Sequence, residues 1–152
     1  MRRAALLLLL LGGASALTLN RPAPDFILSD AAGKPWPLAA HLGRERLLVV
    51  SRPSGSVLDE YVRQAAVLRD RDVRVVALLL PGDAGLKRPS TATLPLLVDP
   101  GGRVAARYGR AALVGKDRGV KATYPAPPSL SEVLGLVDRM PMRQQERQDR
   151  GK

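Results

Sequence analysis

Side chains able to do chemistry are few in this chain. Of 152 residues none is cysteine and one is histidine, His41. The missing thiols exclude disulfides, thiol catalysis, iron–sulfur clusters and cysteine-based zinc sites. One histidine leaves no multi-histidine metal site and at most one base for a serine triad. His41 sits in a Pro- and Gly-flanked connector and reads as a surface residue, so no metal, cofactor or catalytic residue is assigned. The remaining constellation is Arg52, Ser54, Gly55 and Ser56. A helix starting there presents free backbone N–H groups that can bind an anion, and Arg52 adds positive charge. The simpler reading of the same residues makes Ser56 an N-cap and leaves Arg52 solvated. Gly115-Lys116-Asp117 invites a phosphate-loop reading, but that loop needs G-x-x-x-x-G-K-[ST]. Gly109 to Gly115 is one residue too long, and Asp117 replaces the metal-binding hydroxyl. The segment is expected to be a hairpin turn, with Lys116, Asp117 and Lys121 polar and Gly119 at positive φ.

The elements that must position these residues follow from periodicity. Residues 21–38 read as an extended segment, a turn at 31–34 and a return, with Phe26 and Leu28 on one face. The apolar runs 47–51 and 73–80 suit buried strands. Between them, apolar positions 57, 58, 61, 62, 65 and 68 carry the helical period, with Asp59 and Glu60 expected in the first turn. Strand, helix and strand in this order predict a βαβ unit. Residues 94–98 read as a short strand, ended by Asp99-Pro100-Gly101-Gly102. A short helix at 103–109 stops at Gly109, and a hairpin follows over 112–124. Ser129 and Glu132 form a capping box. Leu130, Val133, Leu134, Val137 and Met140 then mark a final amphipathic helix that Pro141 ends or kinks. The Met140-Pro141-Met142-Arg143 stretch reads equally as a partner-binding hook or as a core-edge plug. Residues 143–152 are almost wholly polar and are expected to form a frayed basic tail.

The first sixteen residues read as an address. Arg2 and Arg3 precede an apolar run over 4–11, and Ala14-Ser15-Ala16 supplies an A-x-A site. This is a signal-peptide pattern with cleavage after Ala16. Its apolar stretch is shorter than the roughly 20 residues a bilayer span needs. A periplasmic or secreted protein without a membrane anchor after cleavage is expected. The formal charge is +10, from 24 basic and 14 acidic residues, and cleavage leaves +8. Such a charge favours anionic partners. The basic residues are scattered and aromatics make up 3%, so no specific nucleic-acid site is assigned. The partner expected is a protein or an anionic ligand, and the chain a monomer or weak homodimer.

Two stretches carry a resemblance. Ala23-Pro24-Asp25-Phe26-Ile27-Leu28-Ser29-Asp30, with Gly33-Lys34, resembles the A-P-D-F-x-L-x-D opening of peroxiredoxins and related thioredoxin-like proteins. Leu97-Val98-Asp99-Pro100-Gly101-Gly102, followed by Ala105 and Tyr108-Gly109, is similar to a later stretch of the same proteins. A third signature is Gly115, Lys116, Asp117, Gly119 and Lys121, then Asp138, Met140, Pro141, Met142, Arg143 and Glu146. It resembles a bacterial family catalogued as domain of unknown function 4174, which has glycine where this chain has Arg118. The resemblance implies an α/β, thioredoxin-like fold of the peroxiredoxin-like variant, over residues 17–142, with a mixed sheet flanked by helices. It implies no established activity. In a peroxiredoxin register Pro53 falls on the motif's proline, Val57 on its threonine and Glu60 on its cysteine. Neither Val57 nor Glu60 can replace the residue it stands for, so thiol peroxidase and disulfide oxidoreductase activities are excluded. An exported binding or accessory role in the cell envelope is therefore expected. The alternatives are an enzyme of non-thiol chemistry at the Arg52–Ser56 corner, and an electrostatic binder of anionic polymer.

Overall fold

The computed structural model describes residues 17–151, so the expected signal peptide and its cleavage site after Ala16 lie outside the described residues. The strands are β1 (Ile27–Asp30), β2 (Pro35–Pro37), β3 (Arg46–Ser51), β4 (Val73–Leu79), β5 (Leu96–Val98), β6 (Ala111–Val114) and β7 (Val120–Tyr124). The helices are α1 (Gly55–Arg63), α2 (Ala65–Asp70), α3 (Arg103–Tyr108), α4 (Leu130–Asp138) and α5 (Pro141–Arg150). The strands form one mixed sheet in the order β2-β1-β5-β4-β3-β6-β7. β3, β4 and β5 run parallel, and β6 pairs antiparallel with β3. The expected βαβ unit is β3, the α1–α2 pair and β4.

Alternation along the central strands divides the core in two. Leu48, Val50, Val75, Ala77 and Leu113 pack with Leu58, Tyr61, Leu68, Val133 and Val137 from α1, α2 and α4. Leu47, Val49, Val76, Leu78 and Ala112 pack on the other face with Phe26, Leu38, Val104 and Tyr108. The opening segment is tied down by Tyr108, whose hydroxyl donates to the Pro24 carbonyl at 2.6 Å. Phe26 meets Tyr108 edge to face. Buried Asp99 accepts from the backbone N–H groups of Val104 and Ala105, which fixes the start of α3. His41 is not a free surface group: it stacks on Trp36 at 4.2 Å and its Nδ1 meets Glu45 Oε1 at 2.7 Å.

Five local expectations are corrected. The apolar period over 57–68 continues, but the helix is interrupted at Gln64, whose ψ of 14° leaves the helical region. The N-cap of α1 is Ser54 and not Ser56: Ser54 is extended and its Oγ accepts from Val57 N at 3.3 Å. With the cap two residues earlier, Asp59 and Glu60 fall beyond the first turn, where they pair with Arg88 and Arg63. In the β6–β7 hairpin the left-handed residue is Arg118, at φ 72°, because Arg118 N closes back on Gly115 O and Gly115 N on Gly119 O. Residues 143–150 are no frayed tail, since α5 runs through Arg150 and buries Arg143. Of the two expected effects of Pro141, to end or to kink the helix, the first holds, and Pro141 also opens the next helix. It stops α4, and at the first position of α5 its missing N–H is one no helix bond would use.

Candidate functional site

The family-like signature and the Arg52–Ser56 corner lie at opposite ends of β3. Six residues at about 3.3 Å rise separate the ends by roughly 17 Å. At the end where β3 starts, Arg46 is 1% exposed. Its guanidinium donates to Glu146 at 2.8 and 3.4 Å and to the Arg71 carbonyl at 2.7 Å. Lys116, from the turn after β6, reaches both oxygens of Glu146 and also Asp72. Arg143 donates to the Asp70 carbonyl and carboxylate, each at 3.0 Å. Arg71 grips both oxygens of Asp138 at 2.9 and 3.1 Å. Burial works against the charged form of Glu146, but hydrogen bonds from Arg46 and Lys116 prevail and hold its carboxyl below its ordinary range. The bond from Arg71 does the same for Asp138.

The hairpin half of the signature is also structural. Asp117 Oδ1 accepts from Gly119 N at 3.0 Å, and Asp117 pairs with Lys121. The Lys121 stem crosses Gly115 so closely that a Cβ there would stand 2.7 Å from Lys121 Cε. Gly115 is not at positive φ, so what distinguishes it is this close approach of the Lys121 side chain. Gly119 likewise lies against Asp117 and the backbone of Asn20. Met140 packs at the edge of the α4 core, which supports the plug reading for that residue. Met142 is 50% exposed. The signature thus builds a clasp that holds α5 and the hairpin against the starts of β3 and β4. It gathers no open catalytic constellation.

The opposite end holds a cleft. Beyond the carboxyl ends of β3 and β4 a cavity of about 690 Å³ opens, lined by Arg52, Ser54, Gly55, Asp83, Ala106 and Arg110 among others. Arg52 is not a solvated bystander: its Nε and Nη2 donate to both oxygens of Asp83 at 3.0 and 2.9 Å. Asp83 also accepts from Leu80 N, and the Arg52 bond holds its carboxyl below the ordinary range. Ser54 Oγ and Ser56 Oγ lie 3.0 Å apart. The Gly55 and Ser56 N–H groups have no partner among the described residues, and neither has the Arg110 side chain. Ser51, one residue before the corner, donates to the Gly109 carbonyl at 2.7 Å. The corner residues foreseen from sequence are brought together; Asp83 and Arg110 were missed, being 31 and 58 residues from Arg52. Among the described residues no group of three or more acidic or histidine side chains gathers as a metal site.

The fold has close counterparts among solved structures. A pneumococcal exposed lipoprotein thioredoxin from Streptococcus pneumoniae strain TIGR4 superposes with a TM-score of 0.61 at 23% identity, over 77% of this chain and 100% of that one. A mitochondrial 2-Cys peroxiredoxin from Plasmodium falciparum gives 0.60 at 13% identity, over 80% and 92%. A hypothetical protein from Sinorhizobium meliloti 1021 gives 0.58 at 25% identity, over 82% and 84%. The fold is therefore thioredoxin-like, carried by a chain without cysteine. Among curated proteins none matches the chain. The hairpin, α4 and the clasp residues up to Glu146 all fall within residues 37–146, the span matched by one family: the chain belongs to the Domain of unknown function (DUF4174) family.

Proposed function

We propose that the protein is an exported, non-redox binding or accessory protein whose ligand is anionic and sits in the cleft beside the start of α1. The observation that carries this reading is the composition of that cleft. Its titratable groups are Arg52, Asp83 and Arg110. Asp83, held ionised by Arg52, is committed as an acceptor and is poorly placed to shuttle protons near neutral pH. No thiol is available anywhere in the chain. What the cleft offers instead is the unbonded N–H groups of Gly55 and Ser56 and the unpaired Arg110, all suited to an oxyanion. Position supports the same reading, because parallel α/β sheets receive ligands outside the carboxyl ends of their strands.

Export rests on Arg2, Arg3, the apolar run over 4–11 and the Ala14-Ser15-Ala16 site. It agrees with the described residues having no helix long and apolar enough to cross a membrane. N-terminal sequencing of the exported protein should begin at Leu17, and an intact Met1 in a membrane pellet overturns export. Titration of the mature protein with inorganic phosphate tests the ligand class. Saturable shifts of the Gly55 and Ser56 amide resonances are expected, weakened in Arg110→Glu. No shift at tens of millimolar phosphate overturns the anion reading. In a coupled assay with a thiol donor the protein should consume no peroxide; clear turnover would reveal a nucleophile other than cysteine.

A further inference from the structure

The first half of β4 is a strand edge that the fold leaves unpaired. β3 pairs with β4 from Val73 to Leu78, but β5 reaches only Ala77 to Leu79. Arg46 N donates to Asp72 O and Arg52 N to Leu78 O, so even-numbered peptide groups of β4 face β3. Ala77 N donates to Pro95 O and Asp99 N to Leu79 O, so odd-numbered groups face β5. Val73 and Val75 therefore direct N–H and C=O groups toward a strand that does not extend that far. The ladder stops at Pro95, which has no N–H to give the Val75 carbonyl. The chain before it turns back on itself, with Thr91 N bonded to Leu94 O and Leu94 N to Thr91 Oγ1. Among the described residues nothing bonds to the β5-facing groups of Val73 and Val75.

This edge borders a cavity of about 710 Å³. Tyr61 and Leu68 line it from one face of the sheet, Glu45 and Arg74 from the other, as a strand edge requires. Val62, on its wall, is 57% exposed. Tyr61 is 3% exposed, and its hydroxyl is buried without a hydrogen-bond partner. The charges around the groove are paired with one exception. Glu45 bonds Arg74, Asp72 bonds Lys116 and Arg88 bonds Asp59. The exposed Arg69 side chain has no partner among the described residues.

We propose that this groove binds an extended acidic–apolar peptide segment of a partner protein, added to β4 as a short strand in the place β5 vacates. A strand supplies N–H and C=O groups at the repeat of Val73 and Val75, and alternate side chains enter the cavity. An acidic side chain completes Arg69. A hydrocarbon chain fills the same volume but leaves the peptide groups unpaired, which is unfavourable in an apolar groove. The outer edge β2 is unsuited to such pairing, because Pro35 and Pro37 remove its donors.

The test uses an acetylated, amidated, fluorophore-labelled Val-Glu-Val-Glu-Val peptide and the mature protein. Saturable binding is expected, with amide exchange at Val73 and Val75 slowed at least tenfold. Affinity should drop about tenfold in Arg69→Glu, whose exposed position leaves folding intact, and in a peptide N-methylated on the edge-facing residues. No saturable binding at millimolar peptide overturns the proposal. So does unchanged Val75 exchange at saturation, equal affinity for the N-methylated peptide, or tighter binding of dodecanoate than of the peptide.

Discussion

Two arginines bracket β3, and each holds a carboxylate with two nitrogens. Arg46 meets Glu146 at 2.8 Å and Arg52 meets Asp83 at 2.9 Å. In their shortest contact the two pairs are nearly alike; in surroundings they are opposites. The Arg46 side chain is 1% exposed and that of Arg52 is 58% exposed. A buried guanidinium stripped of its carboxylate has no water to replace it, whereas an exposed one is rehydrated at once. The clasp end of the sheet is therefore built for holding, and the corner end is left free to exchange partners. The chain spends its family signature on the first task, which explains why that signature suggests no chemistry.

The largest expected effect comes from breaking the buried pair. Glu146→Ala should destabilise the protein by about 3 kcal/mol, the low end for removing one member of a buried pair, because a fifth of the Glu146 side chain still meets solvent. Replacing both members, Arg46→Met with Glu146→Leu, should recover most of that loss, since no unpaired charge remains. Urea unfolding of the three proteins measures both. If the single variant falls within about half a kcal/mol of wild type, like an ordinary surface change, the clasp holds nothing and α5 is an appendage.

That α5 holds on by charge explains what could be read from sequence and what could not. β3, β4 and α4 announce themselves because apolar residues recur at strand or helix period, a local signal. Leu130, Val133 and Val137 are buried as their spacing requires. α5 buries no apolar side chain; it buries Arg143. Its own Glu146 is anchored by Arg46, 100 residues away, and nothing local marks the two as a pair. A polar tail was the natural reading of such a segment. The available signal was the spacing of Arg143 and Glu146, three apart and so on one helix face, within a signature that also contains Lys116. At the corner, Arg52, Ser54, Gly55 and Ser56 were legible because a turn precedes an amphipathic run. Asp83 was not, because a loop carries it back to Arg52 after the whole of α1, α2 and β4. The unpaired half of β4 had one trace in the sequence, Pro95, whose meaning depends on which strand it would have extended.

Acid should separate the two ends next. Glu146 and Asp138 have folded-state pKa values lowered by their cationic partners. The folded protein thus binds fewer protons than the unfolded chain, and this contribution is complete above the unfolded carboxylate values of about 3.9–4.3. It drains as the pH falls through that range and through the lower folded values. Protection from amide exchange over residues 141–150, taken relative to the unfolded chain at the same pH, should fall below about pH 4, ahead of protection in β3. Simultaneous loss in both places would show that the clasp does not open on its own.

A smaller effect, of opposite sign, is expected in the hairpin. Arg118 sits at φ 72°, a conformation that disfavours a side chain by about 1–2 kcal/mol. Arg118→Gly removes that strain and adds about 0.4–1 kcal/mol of unfolded-state entropy. The net should be a gain of between zero and about 1.6 kcal/mol. The guanidinium also lies over Gly43, with its Nε 3.2 Å from where a Cβ would be. A measured loss beyond half a kcal/mol would mean this contact outweighs the backbone strain.

The smallest effect is reserved for the pair that looks most like the first. Arg52→Ala removes a two-pronged bond about as short as the one Glu146 makes, yet it should barely change stability, because the pair is exposed and screened by solvent. Water replaces the guanidinium at Asp83, whose other acceptor contact, from Leu80 N, stays in place. Arg52 also has φ 48°, and alanine at that position keeps the backbone strain, so no compensating gain hides the result. The urea melt should therefore nearly overlay that of wild type while the Glu146→Ala melt is clearly displaced. Phosphate titration gives the second readout, because removing a cation beside Gly55 and Ser56 should weaken the amide shifts there even though stability barely changes. Equal losses of stability in the two variants would mean that contact geometry, and not solvent exposure, sets the strength of these pairs. The corner would then be as rigidly built as the clasp, and the case for it as the exchangeable end of the sheet would fail.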